Sequence, residues 1–363
     1  MIQIMMVYGI LMKKVYVPMT EEFTPVFNNI LTKLYRGKMP LFYFAFNIMH
    51  YKILFFLFHF SLLFSQTSYD KYNWLIIAAQ VHKKNGNIKH SQFFFEKAFK
   101  YKKPQSSTDL LNYASVCLLN GYNNKAIINI KKSIIEYNAP KEYITSFKEF
   151  VILNNNRKFI KFLSNYDFYV NLFYKNLKNP SVYYEVNNLC ILDQFTREQA
   201  NNNDKYFLNI NERTLFYQGI IKRQDSVNIK RFIEITNKNG YQPNGWLLLW
   251  HQRNEPYIKN NYVWQFFKPL IQNEIEKGNV ERSFFAQFED QAYMFENNGQ
   301  MQLYGTFDNV EIFDIKNVDK RREDIGLPPL YYDYLIYGSP LPVDYHIDKD
   351  AFYKFIFERV KKL

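Results

Sequence analysis

The chain has 363 residues, enough for two or three domains, and 47% of them are hydrophobic, as in ordinary globular proteins. Its formal net charge is +12, but Lys and Arg are scattered or paired and lack the glycine and aromatic spacing of an RNA-binding module, so we expect no nucleic-acid partner. The two cysteines, Cys117 and Cys190, exclude a disulfide framework and a Cys-x-x-Cys zinc site. Each lies in an apolar run, where we expect a core residue.

An apolar run over residues 53–65 is the first element that the chain presents. Counted from Met49, it has a short basic start and ends on small and polar residues near Ser65 and Gln66, which is typical of a cleaved secretory signal. We therefore expect residues 49–66 to be a signal peptide and the protein to be exported, to the periplasm or outside the cell. The alternative is an uncleaved anchor over 41–64, the one membrane contact that the sequence predicts. Residues 1–48 are a doubtful extension, and we expect the true start at Met49.

Residues 72–140 contain a pattern that repeats after 35 residues. Small residues recur where two helices must approach closely, and large ones recur between them. The matched pairs are Ala79 with Ala114, Gly86 with Gly121, Ser91 with Ala126, Phe95 with Ile130 and Ala98 with Ser133. We expect each glycine at the turn of a helical hairpin, and Ser107 or Thr108 as the cap of the second hairpin with Asp109 in its first turn.

This pattern resembles the tetratricopeptide repeat, whose period is about 34 residues. The resemblance implies a tetratricopeptide-like helical region over 70–179 that contacts a protein partner. A plain bundle of helical hairpins is the alternative.

Residues 180–363 predict a second region that is also rich in helices. The predicted helices cover 182–204, 212–238, 245–251, 261–276, 280–296, 317–325 and 348–361. In the first of them Val186, Leu189, Cys190 and Phe195 share a face. Alternating residues on either side of Asp308-Asn309 predict a small β-hairpin. The expected fold class is therefore mainly α: tetratricopeptide-like hairpins followed by a helix-rich α+β C-terminal domain.

Several short motifs in this second region occur in an order similar to that of the bacterial domain of unknown function 6624. They are Leu192 to Arg197, His251, Asp290-Gln291, Gln302 to Thr306, Val318 to Arg322 and Gly326 to Leu330. The resemblance covers roughly 180–337 and implies no particular activity. The chain has Trp250-His251 where the family has Gln-His, and Asp290-Gln291 where it has Asp-Arg.

Five residues in this region are candidate catalytic groups: Asp193, Arg197, His251, Asp290 and Tyr304. Asp193 and Arg197 are four residues apart and share a helix face, either as a surface ion pair or as an anion site. His251 is either a core histidine or a general base that needs a carboxylate partner.

Three more residues are candidate ligand-binding groups: Gln302, Arg321 and Arg322. Gln302 and Tyr304 face the same side of the predicted strand, and the two arginines form either a solvated face or an anion clamp. No phosphate-binding loop, metalloprotease motif or nucleophile elbow is present, so we expect no metal and no cofactor.

Two functions remain open from the sequence. The first is an exported binding or scaffold protein whose helical region contacts a protein partner and whose C-terminal domain is structural or binds a small ligand. The alternative is an enzyme, a hydrolase or transferase, with a polar pocket in the C-terminal domain.

Overall fold

The computed structural model describes residues 68–202, 207 and 209–362. The predicted signal peptide, the alternative anchor and the N-terminal extension lie outside these residues. Within the described part, no helix combines the length and apolar character needed to cross a membrane. The predicted class is confirmed: the described residues are mainly α-helical and contain one very small sheet.

Two helical hairpins form the beginning of the described chain. Their helices are α1 (68–84), α2 (Ile88–Tyr101), α3 (Ser107–Leu119) and α4 (Asn123–Tyr137). Gly86 and Gly121 occupy the two turns with φ of 75° and 80°, a conformation that glycine adopts without steric cost. The cap of α3 is Ser106, one residue before the predicted position. Ser106 is extended, and its side chain accepts a hydrogen bond from the Asp109 amide at 3.2 Å.

Shorter helices connect the hairpins to the long ones. The elements that follow α4 are α5 (Lys141–Thr145), a 3₁₀ turn (Lys148–Leu153), α6 (Arg157–Ser164), α7 (Tyr166–Asn176), α8 (Pro180–Asn202), α9 (Ile210–Asn239), α10 (Trp246–Trp250), α11 (Glu255–Ile258), α12 (Tyr262–Glu276), a 3₁₀ turn (Arg282–Phe285), α13 (Ala286–Glu296), β1 (Met301–Gln302), β2 (Glu311–Ile312), α14 (Val318–Asp324), α15 (Tyr331–Tyr337) and α16 (Lys349–Lys361). Two further 3₁₀ turns, Pro243–Gly245 and Ile315–Asn317, precede α10 and α14.

The predicted strands are present, but the predicted hairpin is wrong because they pair in parallel, Met301 with Glu311 and Gln302 with Ile312. The connection between them must therefore return to the start of β1. It does so by curling around one side chain. The Gln302 amide donates to the Phe307 and Val310 carbonyls at 2.7 and 3.0 Å, and its oxygen accepts from the Phe307 amide at 2.9 Å. These contacts replace the ladder of a hairpin.

The described chain has two hydrophobic cores. One holds the hairpins together with residues from α15 and α16, and the other holds α8 to α13. α16 buries every fourth residue, Phe352, Ile356 and Val360, so one apolar face of this helix packs against the hairpins. Trp74 of α1 meets Phe355 edge-on at 5.7 Å, and Arg359 lies 4.3 Å from the centre of the Trp74 ring. The C-terminal segment thus contributes to the hairpin core.

The buried stripe of α8 differs from the predicted one. Val186 is fully buried, and Leu189 and Cys190 pack partly against the second core. Phe195, however, is 58% exposed, and the buried position beyond Cys190 is taken by Asp193, which is 2% exposed. The inward face of α8 therefore includes the carboxylate of Asp193.

We expect Ile356→Ala to lower the free energy of unfolding by about 2–5 kcal/mol, because it empties a fully buried position between α16 and the hairpins. Urea titration followed by circular dichroism measures the change. Ile191→Ala is the matched control, since Ile191 is 55% exposed on α8 and its loss costs less than about 0.5 kcal/mol. Equal effects of the two substitutions would show that α16 does not pack as described.

Candidate functional site

A group of charged side chains gathers where α8, α9 and the end of α10 meet. We call Asp193, Arg197, Asp225, His251 and Arg253 the Asp193 cluster. Asp193 is at its centre: its Oδ2 accepts a hydrogen bond from the Gln194 amide at 2.7 Å, and Arg197 approaches both oxygens at 3.3 Å. Burial of Asp193 opposes ionisation, but the contacts with His251 and Arg197 outweigh it and hold the pKa well below its usual range.

Arg197 joins the two carboxylates of the cluster. Its Nη2 donates to Asp225 Oδ1 at 2.6 Å, so one guanidinium contacts both α8 and α9. Asp225 behaves differently from Asp193. Burial and the nearby Asp193 raise its pKa, and Arg197 offsets this only in part. Two neighbouring carboxyl groups thus have pKa values that are displaced in opposite directions.

His251 enters the cluster from the residue after α10. Its Nε2 lies 3.0 Å from Asp193 Oδ2, an ion-pair distance for the protonated ring. The geometry of this contact does not fit a hydrogen bond, so Nε2 of His251 is one of several buried polar atoms without a hydrogen-bond partner. The side chain is 13% exposed, so His251 is neither sealed in the core nor fully open to solvent.

Arg253 is the cation of the cluster without a carboxylate partner among the described residues. Its Nη1 donates to the Trp250 carbonyl at 2.9 Å, and its guanidinium lies 4.5 Å from the centre of the Trp250 ring. Its Nε is buried and lacks a hydrogen-bond partner, as does Oδ1 of the adjacent Asn254. Burial and the charge of Arg197 lower the pKa of Arg253, and the charge of Asp225 offsets this only in part. Among the described residues Arg253 thus forms no ion pair, and the charge of Asp225 acts on it without direct contact.

Asp290 lies on α13 and belongs to a second polar network, which it forms with the loop after β1. Its Oδ1 accepts from the Leu303 and Tyr304 amides at 2.6 and 2.7 Å, and its Oδ2 accepts from the amide and hydroxyl of Thr306 at 2.9 and 2.8 Å. Four donors use both oxygens of a fully buried carboxylate. Burial raises the pKa of Asp290 although these hydrogen bonds oppose the rise. Asp290 therefore stabilises the backbone of the loop after β1.

Tyr304 lies in the same loop and donates its hydroxyl hydrogen bond to Glu289 Oε2 at 2.8 Å. Glu289 follows Phe288 on α13, and its pKa is raised by burial and by the charge of Asp290. The phenol and this carboxyl thus form a pair beside the Asp290 network.

The two arginines of α14 also hold loop backbone. Arg321 donates to the carbonyls of Leu303 and Phe313. Arg322 is 1% exposed and donates to the Pro328 and Tyr304 carbonyls, both at 2.7 Å, and to Asp333 at 2.5 Å. Their donors are used within the protein, as are the amide groups of Gln302. A cavity of about 500 Å³ lies beside this loop, and its charged lining residues are Asp308, Glu311, Asp333 and Asp344.

Of the predicted catalytic candidates, the structure brings Asp193, Arg197 and His251 together and gives Asp290 and Tyr304 other partners. An aromatic layer borders both groups. Trp250, which precedes His251, stacks on Phe307 with centroids 6.3 Å apart, and Phe307 follows Thr306. The ion pair between Asp193 and Arg197 forms as one of the predicted alternatives has it, although Asp193 itself is buried, and His251 lies largely buried beside Asp193.

The chain matches no protein-family model, no curated protein and no solved structure. Within the described residues, no three side chains of His, Cys, Asp or Glu are placed so that they could hold a metal ion.

Sequence reasoning missed Asp225 and Arg253. Asp225 had a detectable signal, because it lies three, four and seven residues before Asn228, Ile229 and Phe232, which form the buried stripe of α9. A carboxylate that continues such a stripe must find a partner. Arg253 had no comparable signal, since its environment depends on how α10 meets α8.

We expect Asp193→Asn to lower the free energy of unfolding by about 1–3 kcal/mol at pH 7, because it removes a buried charge that Arg197 and His251 stabilise. The folded-state pKa of Asp193 is depressed, so its stabilisation is present above the ordinary value of about 3.8 and is lost as the pH falls through the folded-state value. The difference between wild type and variant must therefore shrink below about pH 4.

Urea titrations from pH 7 to pH 3 measure this difference. Asp344→Asn, at an exposed position, is the control and should change stability little at any pH. A gap between wild type and Asp193→Asn that grows as the pH falls would contradict the assignment.

Proposed function

We propose that the protein is an exported binding protein in which a tetratricopeptide-like helical region contacts a protein partner and the C-terminal part binds a small organic anion at the Asp193 cluster. The observation that supports the anion site is the environment of Arg253. A cation that is partly buried without a counter-charge in direct contact is costly, and a bound carboxylate or phosphate supplies that contact. The planar guanidinium also matches the two oxygens of such a group.

The surroundings of Arg253 fit an anion that is held by several groups. Arg197 adds a second guanidinium, with 24% of its side chain exposed, and His251 adds an imidazole at the same junction. Asp193 holds Arg197 and approaches His251, so both side chains are oriented before a ligand arrives. Such preorganisation reduces the cost of binding.

Exposed apolar side chains support the proposed partner contact of the helical region. Phe93 of α2 and Ile128 of α4 are 58% and 54% exposed, and Tyr122 stands at the second hairpin turn. Export is a proposal that depends on the segment around Met49, and N-terminal sequencing of the natural protein tests it.

We expect citrate, a small organic anion, to raise the stability of the wild-type protein by about 2.7 kcal/mol at a hundred times the dissociation constant. Arg253→Gln should abolish this effect. Without an anion, the same substitution should cost little or be stabilising, because it removes a partly buried charge that has no ion pair among the described residues. Thermal unfolding with and without the anion measures both.

Arg231→Gln is the matched control. Arg231 is exposed and pairs with Glu185 and Glu234 at 2.6 and 2.8 Å, so its loss should leave the anion effect intact. Equal anion effects in wild type and Arg253→Gln would exclude Arg253 from the site.

A hydrolase or transferase is the second candidate function. The observation that favours it is the opposite displacement of the pKa values of Asp193 and Asp225 beside His251, an arrangement that suits one proton donor and one ionised group. If the protein is an enzyme, a bound anion will be converted during incubation with the wild type and not with His251→Ala, as seen by mass spectrometry. Recovery of the unchanged anion after many hours would contradict the enzyme hypothesis and favour the binding function.

A further inference from the structure

A cavity of about 350 Å³ lies between the helical hairpins and the C-terminal part. One side comes from α1 and the start of α3, and the other from residues around α10 and the 3₁₀ turn Arg282–Phe285. Its volume is within the range of small-ligand sites. The Asp193 cluster contributes none of its lining residues.

The walls of this cavity are rich in aromatic rings. The rings belong to Tyr69, Tyr72, Tyr241, Trp246 and Phe284. Aromatic faces attract cations, and sites for ammonium groups in proteins are commonly built from several such rings. One cation of the chain already uses this attraction: Lys102 places its Nζ 5.4 Å from the centre of the Tyr69 ring and donates to the Gly278 carbonyl at 2.7 Å.

Two carboxylates line the same cavity from opposite sides. Asp109 comes from the first turn of α3 and accepts a hydrogen bond from the Tyr72 hydroxyl at 2.7 Å. Glu281 comes from the residue before the 3₁₀ turn. Among the described residues, neither forms an ion pair. The neighbouring Arg282 is directed elsewhere, to Asp70 at 3.3 Å and to the Asp324 carbonyl.

The charges of the two carboxylates, on half-buried Asp109 and exposed Glu281, repel each other. Burial raises the pKa of Asp109, although the contacts with Tyr72, Ser106 and Gln105 oppose the rise. Glu281 is open to the solvent of the cavity but closely surrounded by protein, and burial together with the charge of Asp109 raises its pKa. A positive charge between them would offset this repulsion and favour the ionised form of both carboxyl groups.

We propose that this cavity binds a small organic cation, an ammonium group on an apolar body, held between Asp109 and Glu281 and against the aromatic walls. The lining carboxylates exclude an anion, which distinguishes this site from the Asp193 cluster. A neutral polyol would also suit aromatic walls and carboxyl groups, so the test separates a charged ligand from a neutral one of the same shape.

The experiment uses the complete protein and two probes, choline and its uncharged isostere 3,3-dimethylbutan-1-ol, in isothermal titration calorimetry. We expect choline to bind at least about tenfold more tightly than the isostere, because only choline gains the carboxylate and cation–π attraction. Glu281→Gln should weaken choline binding about tenfold and leave the isostere unchanged. Glu276→Gln, an exposed glutamate on α12, is the matched control and should bind choline as the wild type does.

A second pair of variants tests the aromatic wall. Tyr241→Leu should weaken choline binding by about 2- to 30-fold, whereas Tyr241→Phe, which keeps the ring, should bind like the wild type. Equal affinity for choline and the isostere, or choline binding that Glu281→Gln does not alter, overturns the proposal. Absence of choline binding at 50 mM overturns it as well. Because Arg253 does not line this cavity, failure here leaves the anion test unaffected.

Discussion

The indole ring of Trp250 is the contact on which the arrangement of the C-terminal part depends. It stacks on Trp246 with centroids 5.4 Å apart, meets Phe288 of α13 edge-on at 5.4 Å, and lies parallel to Phe307 of the loop after β1. The guanidinium of Arg253 covers it at 4.5 Å. One side chain therefore fixes α10 against α13 and the loop, and with α10 it fixes where His251 and Arg253 point.

Buried charges in this protein are used in two different ways. Around β1 and α14, Asp290 accepts hydrogen bonds from loop amides and Arg322 donates to loop carbonyls, because an irregular backbone leaves those groups without partners in a ladder. At the junction of α8, α9 and α10, the backbone is mostly helical and needs no such help. The oxygens of Asp193 accept from the side chains of Gln194 and Arg197, whereas Nε of Arg253 has no hydrogen-bond partner.

The helices were predictable because their signals are local. Glycine turns, Asn and Asp caps and amphipathic stripes set α9 and α16 to within about two residues of the expected bounds. The parallel pairing of β1 with β2 was not predictable from alternation, since it depends on a loop that folds around the Gln302 side chain. Spacing on one helix placed Asp193 beside Arg197, but only tertiary packing decides that His251 joins them and that Asp290 does not.

The contacts of α15 and α16 with α1 explain why a cavity exists between the hairpins and the C-terminal part. The hydroxyl of Tyr332 on α15 contacts Gln80 of α1, and Arg359 on α16 contacts both Trp74 and Glu323. These contacts hold α1 against the C-terminal elements on one side. Tyr72 and Asp109 form another part of the same hairpins, and they face Trp246 across the cavity. Because Trp246 also stacks on Trp250, one aromatic pair links the two proposed sites. Trp246 lines the cavity that holds Asp109 and Glu281, and Trp250 lies under the guanidinium of Arg253.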